Sequence, residues 1–175
     1  MKGSNMTMIH KVTGVQKVSA NCLVCGTDNH FGLRVKFLEL SNRDLCAIFR
    51  GICEHQSYPG RMHGGMISAI LDETIGRAVM MSDPDIWGVT VELSVRFLKP
   101  VPLNEKLLCV GRITNENKRI FEGTGEVYLE NGTVAAAARA KYMKIPLEKL
   151  IEDDTFLHNE WKDADMADIP SEVEY

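Results

Sequence analysis

The sequence predicts an α+β domain, with one long buried helix and most of the remaining ordered chain in short antiparallel strands. Three observations predict it. Residues 64–81 carry Ile67, Ile70, Leu71, Thr74, Ile75 and Ala78 at helical spacing, and the other faces of this segment are also small or apolar (Met66, Ala69, Val79, Met80). Elsewhere the apolar period drops to two, most regularly in Val89, Val91, Leu93, Val95 and Phe97. The strand-length runs are separated by turn signals, and the 175 residues fit a single domain with one core.

In chain order, residues 1–19 are polar and aperiodic and form an N-terminal arm, loose or adding a short helix. Cys22-Leu23-Val24-Cys25-Gly26 opens the domain. Leu33–Leu40 and Leu45–Gly51 form a hairpin through the Ser41-Asn42-Arg43-Asp44 turn. The hairpin delivers the chain to Glu54-His55-Gln56-Ser57, where His55 and Ser57 are candidates for the mouth of a site. Tyr58-Pro59-Gly60 is a turn before the helix, and Ser82-Asp83-Pro84-Asp85 stops it. Residues 89–97, 106–114 and 119–129 are strands, and Asn131-Gly132 is a hairpin signal. Residues 133–145 set four consecutive alanines, which favour helix, against a turn and a length that favour a returning strand. Strand is preferred, because small side chains would let the helix sit close to the sheet. Beyond Pro146 the chain becomes rich in Asp and Glu: a short helix at 147–151, then a solvated acidic tail to 175 with Phe156 and Trp161 as apolar anchors.

A net charge of −4 with no basic stripe argues against nucleic acid as a partner. No apolar run approaches the length of a membrane span, and the start has no apolar signal region, so a cytoplasmic protein is expected. Five cysteines, odd in number and scattered, agree with a reducing compartment. Structural zinc needs four ligands, and there is no second CxxC and no HxxxH; His30, Cys46, Cys53 and His55 are scattered candidates. Cys22 and Cys25 are therefore read as reduced thiols in a glycine-rich turn, with no metal and no cofactor.

Two features of the helix carry chemistry. Gly64 and Gly65 leave first-turn N–H groups uncovered by side chains, where the helix dipole favours developing negative charge, as an oxyanion hole requires. Farther along stand two acids. Glu73 lies four residues before Arg77 and is accounted for as an ion pair, whereas Asp72 has Ser68, Ile75 and Gly76 on its own face and no cation. An unpaired carboxylate on a buried helix is costly unless it is hydrogen-bonded or lines a cleft, which makes Asp72 the candidate catalytic acid.

His63-Gly64-Gly65, with Asp72 nine residues after the histidine, then a strand and Lys99-Pro100-Val101-Pro102, resembles the hotdog-fold acyl-CoA thioesterases of the PaaI-like group over about residues 20–146. The resemblance implies a curved antiparallel sheet wrapped around the helix. It also implies a homodimer or dimer of dimers with its active sites at the subunit interface. The helix acid acts there as general base or nucleophile, Thr90 matches a strand hydroxyl that positions the water from the neighbouring subunit, and His63 shapes the helix start. Ser57, His55 and Glu73 are expected at the substrate-binding rim. The expected activity is hydrolysis of an acyl-CoA thioester; the alternatives are a non-catalytic acyl-CoA-binding module and a hydratase of the same fold. Which acyl group is preferred is not legible, because the pocket walls come from two subunits.

Overall fold

The computed structural model describes residues 8–150 and 159–175. In chain order it contains β1 (Ile9–Val15), β2 (Val18–Ser19), β3 (Lys36–Leu40), β4 (Leu45–Phe49), α1 (Gly64–Arg77), β5 (Ile86–Phe97), β6 (Leu107–Glu116), β7 (Ile120–Tyr128), β8 (Val134–Pro146), β9 (Trp161–Lys162) and β10 (Glu172–Glu174). Eight strands make one antiparallel sheet in the order β10-β1-β3-β4-β6-β7-β8-β5, while β2 and β9 pair separately. The sheet packs around α1, the arrangement expected for a hotdog fold.

Burial of an apolar helix drives the assembly. Ile67, Ile70, Leu71, Thr74 and Ile75 are all buried, and fully burying each large side chain is worth about 1.5–3 kcal/mol. The helix ends at Arg77, and Ala78–Met81 tighten into a 3₁₀ turn, so the last turn expected as α-helix is wound more tightly. The sheet admits the helix closely through glycines of β6 and β7. A Cβ on Gly111 would sit 2.8 Å from the Thr74 carbonyl oxygen, and one on its cross-strand partner Gly125 would sit 2.9 Å from Ile75. The alanine run is strand, as preferred, with Ala135, Ala136, Ala138 and Ala140 buried beneath the helix layer. The closest approach of backbone to helix, however, belongs to the glycines.

Three expectations are corrected. The arm is not loose at residues 9–15: β1 pairs with β3 on one side and β10 on the other. The acidic tail is partly built into the fold, because Val173 joins Leu38, Leu40, Cys46 and Val110 in a second apolar cluster, and Trp161–Lys162 pair with Val18–Ser19. Leu147–Lys149 form a 3₁₀ turn, and Phe156 lies outside the described residues. The third correction concerns β5. Its alternation is broken by a bulge, for Thr90 opposes Tyr142 and Glu92 opposes Lys141, leaving Val91 as the surplus residue. Without the bulge Thr90 would face away from Leu93 and Val95; with it, all three face the helix.

Candidate active site

Asp72 stands on α1 where β5 and β8 cross it. Thr90 Oγ donates to Asp72 Oδ1 at 2.9 Å and lies 3.2 Å from Oδ2. The Tyr142 hydroxyl reaches the Asp72 carbonyl oxygen at 2.9 Å and Oδ1 at 3.1 Å. Thr90 and Tyr142 are cross-strand partners, so the β5–β8 ladder itself delivers both hydroxyls to one carboxylate. Burial pushes the Asp72 carboxyl above the usual range; the Thr90 and Tyr142 hydrogen bonds oppose this, and the Glu73 charge adds to it. The tyrosine is raised by burial and by the Asp72 charge, and so stays a protonated donor. The result is a carboxylate of increased basicity, held in orientation by two hydroxyls.

The carboxylate borders a cavity of about 140 Å³ whose walls include Gly76, Met80, Trp87, Gly88 and Trp161. Trp87 and Trp161 lie against each other, ring centroids 4.9 Å apart. A larger groove of about 480 Å³ opens elsewhere, between Arg34, Lys36 and Ile48 on one side and Asp168–Pro170 on the other. Its lining carries no acid–hydroxyl pair among the described residues, so the Asp72–Thr90 contact rather than volume marks the smaller cavity as the candidate site.

At the start of α1, His63 is the N-cap and its Nδ1 accepts the Gly65 N–H at 2.8 Å. This occupies one of the two expected oxyanion donors. The Gly64 N–H has no acceptor among the described residues and is the donor left for a ligand. Gly64 and Asp72 are eight residues apart, about 12 Å along a helix, so one chain does not present both to a single carbonyl.

The remaining candidates separate. His55 is buried rather than at a mouth: Nδ1 accepts the Ile52 N–H, Nε2 therefore donates to the Phe31 carbonyl oxygen at 2.8 Å, and the His55 carbonyl accepts the His63 N–H. It is a strut between loops. Ser57 is exposed and lies outside the Asp72 cavity. Glu73 borders the cavity but is held 2.7 Å from Arg77, whose guanidinium lies between Phe37 and Trp161. Thr90 is on Asp72 of its own chain, not opposite the acid from a neighbour as the resemblance had it. Tyr142 escaped sequence reasoning; its signal was parity, since it shares the inward face with Ala136, Ala138 and Ala140.

Among the described residues, the group able to converge on a metal is Cys22, Cys25 and Glu73; His30, Cys46, Cys53 and His55 are not in it.

A helix acid hydrogen-bonded by a strand hydroxyl thus lies nine residues after the capping His63 of a His-Gly-Gly motif. Residues 59–136 match the thioesterase superfamily. The architecture is the hotdog fold. Acyl-coenzyme A thioesterase THEM4 of Mus musculus is 26% identical over 104 residues, 59% of this chain and 44% of the relative. Among solved structures, thioesterase superfamily protein RHA08564 superposes with a TM-score of 0.65 at 27% identity, over 72% of this chain and 61% of that one. The E. coli PaaI protein from the phenylacetic acid degradation operon superposes with a TM-score of 0.59 at 15% identity, covering 65% and 80%. The chain spans about half the length of the curated relatives it matches. The matched segment contains His63, Gly64, Gly65, Asp72 and Thr90, whereas Tyr142, His55 and Ser57 lie outside it. Among the described residues no helix is long and apolar enough to cross a membrane.

Proposed function

We propose that the protein hydrolyses the thioester of an acyl-CoA, with Asp72 as general base. Water hydrogen-bonded to Asp72 and Thr90 beside their direct contact gives its proton to Asp72 as its oxygen attacks the thioester carbonyl carbon. The oxyanion formed is met by the Gly64 N–H at the start of a second copy's helix, where the dipole favours negative charge. Collapse expels the CoA sulfur, which leaves as a thiolate and takes the proton from Asp72. No metal is needed, because a thiolate is a good leaving group. The acyl group occupies the cavity beside Trp87 and Trp161.

The contact of Thr90 with Asp72 carries the proposal, since a binding module has no use for a basic, oriented carboxylate beside a thioester carbonyl. The similarity to an acyl-coenzyme A thioesterase supports the substrate class. The roughly 12 Å between Gly64 and Asp72 supports a shared site and hence a dimer. Release of free thiol from a panel of acyl-CoAs tests the activity. Asp72→Asn keeps the shape and removes the base, so kcat should fall by about 10²–10⁴ with KM little changed. Wild-type turnover in Asp72→Asn would overturn the mechanism, and no thiol release from any acyl-CoA would overturn the function.

A further inference from the structure

We propose that Cys22 and Cys25 form a thiol–disulfide exchange site for small-molecule disulfides, with Cys22 attacking and Cys25 resolving. The turn divides the two thiols by environment. Cys22 is half-buried, and its sulfur accepts the N–H groups of Val24 at 3.3 Å and Cys25 at 3.4 Å, donors that favour a thiolate. Cys25 is buried, with its sulfur meeting the Ser19 N–H at 3.4 Å and Arg77 Nη2 at 3.3 Å. Both sulfurs lie within 4.8 Å of each other, close enough for side-chain rotation to join them. In agreement, a hydrogen bond from Cys25 holds the Cys22 thiol below its ordinary range, against burial and the Glu73 carboxylate 3.8 Å from its sulfur, and the same hydrogen bond together with burial raises Cys25. An accessible thiolate backed by a buried protonated thiol is what exchange requires. The half-buried position of Cys22 admits a slim partner rather than a protein disulfide.

The same cluster does not suit a metal. Among the described residues it offers three ligand atoms, Cys22, Cys25 and Glu73, where structural zinc takes four. Arg77 already contacts two of them, Glu73 at 2.7 Å and Cys25 at 3.3 Å, so a dication would sit against a buried guanidinium.

The step balances. The Cys22 thiolate attacks one sulfur of the small disulfide, forming a mixed disulfide and releasing one thiolate. Cys25 then attacks the Cys22 sulfur, its proton passing to a departing thiolate, and the second half leaves. The protein dithiol is oxidised to a disulfide and the small disulfide is reduced to two thiols. The thiols adjoin the Asp72 cavity through Glu73 and Arg77 but take no part in the thioester chemistry.

Oxidised glutathione tests it on the reduced, desalted full-length protein, followed by intact mass and peptide mapping. Wild type should lose two hydrogens and yield a Cys22–Cys25 cross-linked peptide, Cys25→Ser should stop at one glutathionyl group on Cys22, and Cys22→Ser should leave Cys25 unmodified. Cys22 should react several-fold faster than exposed Cys53, whose thiol is raised by its hydrogen bond to Glu54. Modification of Cys53 with Cys22 untouched, a lasting mixed disulfide on wild-type Cys22, or one zinc per chain held by these thiols and blocking exchange would each overturn the proposal.

Discussion

Asp72 is under opposing influences, burial raising its proton affinity and two hydroxyls lowering it. Removing one hydroxyl therefore has a predictable sign. In Tyr142→Phe the carboxylate loses a donor and its pKa rises further; the base form is lost as pH falls through that pKa, so the acid-side midpoint of kcat/KM should move to higher pH. A pH–rate profile reads this, and an unmoved midpoint would remove Tyr142 from the site. Thr90→Ala should lower kcat less than Asp72→Asn, because it orients water without taking its proton; turnover equal to wild type would exclude that role. Asp72 was legible because an acid without a cation on a buried helix calls for an explanation. Thr90 was legible only through the resemblance, which set it opposite a neighbour's acid; the bulge at Val91 is what turns it onto Asp72 of its own chain. Tyr142 shared an inward face with small alanines, so parity placed it inward without showing that its hydroxyl meets Asp72.

At the scale of elements, Glu73 and Arg77 were legible as an i,i+4 pair, and such pairs on an exposed helix are worth a few tenths of a kcal/mol. The structure changes the magnitude, for the Arg77 side chain is only 9% exposed and its charge depends on Glu73 and on the Lys17 carbonyl. Glu73→Gln leaves that guanidinium short of a counter-charge while keeping an acceptor, so the expected cost is about 1–3 kcal/mol. Urea denaturation should show a lower midpoint at unchanged slope, and a loss within a few tenths of a kcal/mol would mean that water satisfies Arg77. Most strands were legible from alternation. The bulge at Val91 was not, since an extra residue among valines leaves no mark in composition. β1 and β10 were hidden for another reason: both are half polar, and the pairing that holds β10 joins residues more than 150 positions apart.

The whole molecule ends its large sheet at β5, which pairs with β8 and on its far side has no partner strand among the described residues. On or beside that edge Val89, Val91, Phe97 and Met143 are 39%, 55%, 55% and 46% exposed, an apolar patch of the kind that pairs with a second copy. Light scattering should give a dimer or a multiple of it. Val91→Lys should shift the protein toward monomer and lower turnover with Asp72 intact, and a fully active monomer would remove the shared site. The opposite end of the sheet has a consequence in time. The Met8 N–H donates to the Tyr175 carbonyl, and Val173 closes the outer cluster over Leu38, Cys46 and Val110. A ribosome making this chain completes helix and inner core before the last residues of that cover exist. Until residues 172–174 emerge, β1 has an open edge and the outer apolar cluster stays wet, so the nascent chain stays prone to aggregate until that strand is made.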